Sequence, residues 1–310
     1  MISFLIRRLL YAIPVLLGVA FITLILFNIA GGDPARMRLG KAASPESVQQ
    51  LRTEMGLDQP IHIQYWDFLQ SLVSLDFGTS WADETPVSDI FLRGIGPTLS
   101  LSVPAFLIGS VLAISLSLLV AYYRGRPIDR IVTTSAIAGI SVSSLVYILF
   151  GQWLLADQLK LFPIWGYEYG LGAVVFLALP TCIWILLSVG TDIRYYRTVA
   201  LEEIHQDYVR TARAKGLDEK VILFKHVLRN CSVPIITRMT IAIPFLITGA
   251  FLLEIFFGIP GLGSELYRSI TGSDFPVVKA FTMLGAVLYV IFNILADVLY
   301  ALFDPRIRLS

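Results

Sequence analysis

The chain is predicted to be an all-α membrane protein with six transmembrane helices, and three observations carry that prediction. It is 56% apolar and only 15% charged, against about 25% charged residues in a soluble domain. Six stretches are apolar and long enough to cross a bilayer, which needs about 20 residues at about 1.5 Å each. The basic residues then collect at alternate ends of those stretches, which puts both chain termini on one side.

The first span is expected at Leu9 to Ile29. Arg7 and Arg8 before it give the look of a signal peptide, but the apolar stretch is too long for a signal core, so the segment is expected to stay uncleaved. A polar region follows, Gly31 to Gly96, with its own helix signals: Ser44 as N-cap, Pro45 at the first helical position, Glu46 in the first turn and Gly56 beyond the end. After Pro60, the run Ile61 to Val73 is amphipathic, and its Tyr65, Trp66, Phe68 and Leu69 suit a membrane surface. The next three spans are Pro97 to Tyr122, Ile131 to Ala156 and Leu171 to Gly190. An inner piece, Thr191 to Ser232, separates them from the last two, Val233 to Phe257 and Val278 to Phe303. Pro14, Pro104, Pro180 and Pro244 remove backbone donors inside spans, which predicts kinks. Ser135, Gly139 and Ser143 form a small-residue stripe expected to let another helix approach, with a substrate-lining role as the alternative.

Orientation follows from the charges. Arg7 and Arg8, then Arg124, Arg126 and Arg130, the group from Arg194 to Arg229, and Arg306 and Arg308 fall on one side. The other side carries Arg36, Arg38, Lys41, Arg52, Arg93, Lys160, Arg268 and Lys279, diluted by acids. The positive-inside bias makes the first side cytoplasmic, an N-in, C-in arrangement.

On that side lies a charged island, Asp207 to Leu217, reading DYVRTARAKGL. Wound as a helix from Leu201, it puts Leu201, Ile204, Tyr208 and Ala212 on one face and Glu203, Gln206, Asp207, Arg210 and Arg213 on the other. Gly216 stands where the helix would stop. A helix lying on lipid headgroups has this pattern, and so does a protein-docking helix. The mixed signs of the polar face favour docking.

Several chemistries lack their residues. A net charge of +1 without basic runs interleaved with aromatics gives no nucleic-acid surface. Cys182 lies in an apolar span and Cys231 beside the inner loop, neither placed for a disulfide. Asp76-Phe77-Gly78 copies a kinase magnesium motif without the rest of that set, and Gly40-Lys41 lacks the spacing of a phosphate-binding loop. His62, His205 and His226 are scattered, and no HExxH or GxSxG occurs, so neither a metal site nor a hydrolase is expected. Of the charged residues, only Glu254 and Asp297 qualify as intramembrane. A structural role is expected for each over a proton relay, because both lie near a polar boundary.

Ordered motifs carry a resemblance that runs nearly end to end: Ile6-Arg7-Arg8-Leu9, Gly32-Asp33-Pro34, Gly56-Leu57-Asp58-Gln59-Pro60, Asp76-Phe77-Gly78, the island itself, Lys225-His226-Val227-Leu228-Arg229-Asn230 with Pro234, Ile259-Pro260-Gly261-Leu262-Gly263, Asp274-Phe275-Pro276-Val277-Val278 and Asp304-Pro305-Arg306-Ile307-Arg308. In these the chain resembles the inner-membrane permease subunits of binding-protein-dependent ABC importers, in the dipeptide, oligopeptide and nickel branch. The resemblance implies a type I (MetI-like) transmembrane domain in a bacterial inner membrane. It implies that Asp207, Tyr208, Val209, Arg210, Thr211, Ala212, Arg213, Ala214, Lys215, Gly216 and Leu217 form a coupling helix that inserts into a cytoplasmic ATPase. The implied organisation is residues 1–30 as tail and first span, 31–96 as an extracytoplasmic helical region, 97–303 as a five-helix permease core with the coupling loop 191–232, and 304–310 as a cytoplasmic tail.

The implied partners are a second similar permease chain, two ATPases, an extracytoplasmic solute-binding protein and membrane lipid. ATP and magnesium would sit on the ATPases, with no cofactor on this chain. The broader importer motif opens Glu-Ala-Ala, whereas the corresponding residues here are Arg210-Thr211-Ala212, so that motif's acidic contact does not carry over. The outer loop Asp157 to Gly170 is also short where some relatives carry an insertion. Peptide is the leading cargo, with a nickel chelate or another small solute as the alternative. An ion-coupled carrier working alone is a rival of a different class, and a membrane scaffold or hydrolase a more remote one.

Overall fold

The computed structural model describes residues 2–29, 33–40, 43–74 and 76–303, and nearly all of them are helical. Gly32, Lys41 and the whole tail 304–310, with its Asp304-Pro305-Arg306-Ile307-Arg308 motif, lie outside the described residues.

Helix α1 (Ile2–Ile29) keeps Pro14 inside it and is followed by three short helices, α2 (Pro34–Leu39), α3 (Pro45–Glu54) and α4 (Ile61–Ser74). The Ser44 hydroxyl accepts from the Ser47 amide at 3.2 Å, the expected N-cap of α3. At the other end Gly56 adopts φ 65°, and the Leu57 amide reaches back to the Arg52 carbonyl at 2.9 Å, closing a Schellman turn. Asp33 accepts two bonds from the Arg52 guanidinium, at 3.2 and 2.5 Å, and this holds its carboxyl below the usual range. Helix α4 turns Phe68 inward against Ala20, while the Tyr65 hydroxyl donates to the Leu17 carbonyl at 3.0 Å, so Tyr65 belongs to the packing on α1 while Trp66 stays exposed.

Helix α5 (Val87–Tyr122) starts at Val87, well before the expected Pro97, and so runs across the expected boundary at residue 96. The third expected span is not one rod. It divides into α6 (Pro127–Ser141) and α7 (Ser144–Gly151), which continues as a π-helical segment, Gln152–Gln158, and the two halves are bent by 93°. Val142 and Ser143 are both extended there, and the Ser141 hydroxyl bonds its own Ile137 carbonyl, the local competition that weakens a helix at serine. The Tyr147 hydroxyl donates at 3.1 Å to the Gly139 carbonyl, which also accepts from the Val142 amide at 3.4 Å, so the end of α6 is capped at the break. The small-residue stripe does not pack as expected, since Ser135 and Ser143 are exposed. The close approach falls one residue over, where a Cβ on Gly190 would lie 3.0 Å from the Ala136 carbonyl oxygen.

Helix α8 (Ala173–Ile204) extends far beyond Gly190 and packs along α5. After it come α9 (Asp207–Ala214), α10 (Glu219–Val221), a π-helical turn Ile222–Val227, and α11 (Leu228–Asn230). Helix α12 (Ser232–Thr248) leaves this stretch at a bend of 58°. The fifth expected span, Val233 to Phe257, is also interrupted: Gly249 takes φ 85° and the chain restarts as α13 (Phe251–Phe257). Helices α14 (Leu262–Thr271) and α15 (Phe275–Phe303) complete the fold. Four helices are individually long and apolar enough to cross a membrane, and up to six crossings result if each bent pair counts as one. The prolines predicted to kink spans sit inside α1, α5, α8 and α12.

Both flagged acids have structural partners. Asp297 meets Arg8 at 2.5 Å, a charge contact between α15 and α1. Glu254 is fully buried and accepts from the Thr98 hydroxyl and the Ser264 amide, each at 2.9 Å. Thr98 in turn accepts from the Leu262 amide at 2.7 Å. This knot joins α5, α13 and α14. Its tightness makes Gly263 irreplaceable, since a Cβ there would lie 2.7 Å from the Phe251 Cα, a backbone atom that cannot yield. Gly263→Ala is expected to lower the thermal unfolding midpoint of the detergent-solubilised protein, at a cost of about 1–3 kcal/mol. Gly18→Ala, where a Cβ meets nothing within 4 Å, leaves it unchanged or raised. Equal midpoints for the two variants would refute the knot.

Candidate functional site: the charged helix between two spans

Helix α8 stops at Ile204 because the chain turns at His205 and Gln206, the latter extended at φ −71° and ψ 153°. The break resets the helical phase, so the single wheel drawn from Leu201 holds only in part. Ala212 is buried and Tyr208 half-buried as expected, but the deepest side chain of α9 is Val209, fully buried. Glu203, expected on the face opposite Tyr208, instead accepts from the Tyr208 hydroxyl at 2.7 Å across the break. Burial and this bond to a carboxylate push the Tyr208 phenol well above its ordinary value.

Val209 and Ala212 enter a core shared by three long helices: Leu118 and Ala121 of α5, Ile193, Tyr196 and Ala200 of α8, and Ile235 of α12. The π-helical turn adds Ile222, Leu223 and Val227 from the other side. Asp207 begins α9 and Arg213 ends it, each placed favourably for the helix dipole. The Arg213 guanidinium spans to Glu219 with bonds of 2.7 and 3.3 Å, which ties α9 to α10 and raises the arginine's pKa further. Gly216 has φ 75°. Its amide donates to Arg213 at 2.9 Å and the Leu217 amide to Ala212 at 3.3 Å, a full Schellman closure.

The outward face is free. The Asp207 and Arg210 side chains are 94% and 73% exposed, paired only with each other at 3.4 Å, and such an exposed pair contributes little to stability. Thr211, Ala214, Lys215 and Leu217 are exposed as well, and Phe224 stands 60% exposed beside them. Of the eleven residues singled out in the sequence, Val209 and Ala212 are buried as anchors, Tyr208 is half-buried, and the other eight are exposed.

Asp129, Asp192 and Arg238 escaped the sequence reading. Arg197 grips Asp129 with two bonds of 2.9 Å, and Asp129 also accepts from the Gly125 amide at 2.8 Å, fastening α6 to α8. Arg238 lies inside the expected fifth span and pairs with Asp192 of α8 at 3.0 Å. A lone arginine in the apolar run that became α12 was the signal available for it.

Comparison with known proteins matches these features to a family. Residues 113–309 fit the model of the binding-protein-dependent transport system inner membrane component, and residues 1–102 fit its N-terminal companion. A protein named as a peptide transport system permease in Brucella abortus is 36% identical, over 99% of each chain. The glutathione transport system permease protein GsiC of Salmonella choleraesuis is 32% identical, again over 99% of each. The chain therefore belongs to the inner-membrane permease components of binding-protein-dependent ABC importers, a multi-pass protein of the bacterial inner membrane.

Proposed function

We propose that this chain forms half of the translocation path of an ATP-driven importer of peptides. A second similar permease chain supplies the other half, two cytoplasmic ATPases supply the energy, and an extracytoplasmic solute-binding protein delivers the cargo. ATP and magnesium belong to the ATPases. Each bent pair counts as one crossing, giving six spans. Arg124, Arg130, Arg194, Lys215 and Arg229 crowd the end that carries α9, which supports a cytoplasmic position for that end and for both termini. The names of the relatives favour peptide as cargo.

Asp207 to Leu217 is the coupling helix in this reading. The observation that carries it is the double character of α9: its apolar face is locked into the core of α5, α8 and α12 while Asp207, Arg210 and Lys215 stay exposed, with no side-chain partner beyond the Asp207 to Arg210 pair among the described residues. A docked ATPase that moves α9 moves three spans with it, which is what alternating access requires.

Gly216→Val tests the lever. No atom lies within 4 Å of a Cβ at Gly216, so the variant creates no clash and acts only through its disfavoured left-handed backbone, at about 1–2 kcal/mol. Peptide uptake by the assembled importer is expected to fall severely with insertion unchanged, while Gly216→Asn, which tolerates that backbone, retains most of it. Normal uptake by Gly216→Val would sink the proposal. In a background lacking Cys182 and Cys231, Arg210→Cys is expected to cross-link to the ATPase subunit, and an assembled complex without that product counts against it equally.

The anchoring also has a pH dependence. The Tyr208 pKa is raised in the folded state, so below the ordinary tyrosine value of about 10 both states keep the proton. Above it only the folded state does, and stability falls with rising pH. The drop in thermal midpoint between about pH 9 and about pH 11 is therefore expected to be smaller in Tyr208→Phe than in the parent chain.

A further inference from the structure

We propose that the groove between α5, α8 and α12 is this chain's wall of the translocation path, and that Asp192 and Arg238 in it bind the oppositely charged ends of a zwitterionic solute. This rests on the reading of the chain as an importer permease and gives it a substrate subsite.

Arg238 sits six residues into α12, roughly 9 Å along its axis. It shares an exposed strip with Ile241 and Phe245, on a helix that is otherwise uncharged. A guanidinium turned to lipid costs about 2.5–3.5 kcal/mol on insertion scales, so charged residues in spans face protein or water-filled cavities. The groove fits that rule. It encloses about 330 Å³ and presents Ser110, Ser188 and Thr191 beside the charged pair, with Trp184 and Phe245 as apolar walls. The neighbouring strip of α5, with Leu107 and Val111 exposed, is apolar in the way a lipid-facing surface is.

The pair is only partly used. Arg238 reaches Asp192 through Nε at 3.0 Å. Among the described residues its two terminal nitrogens make no hydrogen bond, and neither does the second oxygen of Asp192. A guanidinium fork suits a carboxylate, and a free carboxylate oxygen suits an ammonium. The empty groove stays neutral because the two groups compensate each other. A solute carrying both charges can replace that contact with two new ones and leave nothing unpaired. A solute with a single net charge would leave one of the two protein charges unpaired within the span, which is costly. The volume lies at the lower end of ligand sites, about 300–1,000 Å³, which suits a small zwitterion such as a short peptide with free termini.

The groove is also tied to the lever. Ile193 follows Asp192 directly and Ile235 lies one turn before Arg238, and both belong to the core that holds Val209 and Ala212. A movement of α9 that shifts α8 against α12 changes the distance between the two charged groups.

The test uses thiol labelling of the complete permease and ATPase assembly in lipid, with Cys182 and Cys231 replaced by serine. Ser188→Cys, in the groove, is expected to react with water-soluble methanethiosulfonates at least about tenfold faster than Leu186→Cys on the exposed apolar side of α8. Equal rates would overturn the assignment of the wall. If Ser188→Cys fails to assemble, Thr191→Cys carries the same comparison. Adding Arg238→Gln should lower the ratio of anionic to cationic reagent rates by about tenfold, and adding Asp192→Asn should raise it. An unmoved ratio in both refutes the charged subsite. Alanylalanine in excess should slow the labelling and its N-acetylated amide should not. Equal effects, or none, refute recognition of a zwitterion. Labelling needs neither ATP nor the binding protein, so this inference can fail while ATP-driven uptake persists, and loss of uptake alone leaves the labelling result standing.

Discussion

The insertion of Val209 and Ala212 into the core of α5, α8 and α12 is the contact on which the architecture around α9 depends. Eight residues are too few for a stable isolated helix, which needs about 12–15. The direction of α9 is therefore set by what it is packed against. The Tyr208 to Glu203 bond holds its start, and the Arg213 to Glu219 pair with the Gly216 closure holds its end. None of these contacts uses the face carrying Asp207, Arg210 and Lys215, so the charged side stays available without loosening the anchor.

The opposite end of the molecule is held by polar contacts at chain crossings, and the motifs that carry the family resemblance fall on them. Asp274 is buried and accepts from the Ser80 hydroxyl and from the Trp81 amide at 2.9 Å, joining the start of α15 to the segment before α5. Asp76 accepts from the Gly78 amide at 3.0 Å, which folds Asp76-Phe77-Gly78 into a tight turn and delivers Phe77 to the side of the Val87 and Leu262 cluster. The loop Ile259-Pro260-Gly261-Leu262-Gly263 wraps the Glu254 carboxylate. In lipid an unpaired polar group has no water to turn to, so each crossing must be closed by particular side chains and glycines. The kinase-like triplet Asp76-Phe77-Gly78 thus has a structural reason to be there.

Much of this was legible in the sequence, and the failures have a common cause. The N-cap at Ser44, the stop at Gly56, the α9 segment and the glycine closing it follow from local rules that need no tertiary context. The breaks at Val142 to Ser143 and at Gly249 were not legible, because apolar composition continues through them and hydropathy does not register backbone direction. The phase of α9 was misread for the same reason: a turn at His205 and Gln206 leaves the pattern of residues nearly intact but rotates everything after it. Arg238 was passed over because its neighbours make a convincing span, although a single arginine in such a run is itself informative.

The link between α9 and α12 shows how a bent path can still be stiff. Leu223, Val227, Cys231 and Ile235 recur every fourth residue and are all buried in one core. In a straight α-helix such positions drift by about 40° per step, or about 120° over the three steps, and would wind off the buried face. Here the first steps run through the wide π-helical turn Ile222–Val227, where the helix is underwound, and the next crosses the 58° bend before α12. Underwinding and bend together absorb the drift and keep a single apolar stripe pointed at α5 and α8. An interruption that looks like a hinge is instead filled on its inner side by packed side chains. Helices α9 and α12 are therefore joined through packed side chains and not through an open hinge.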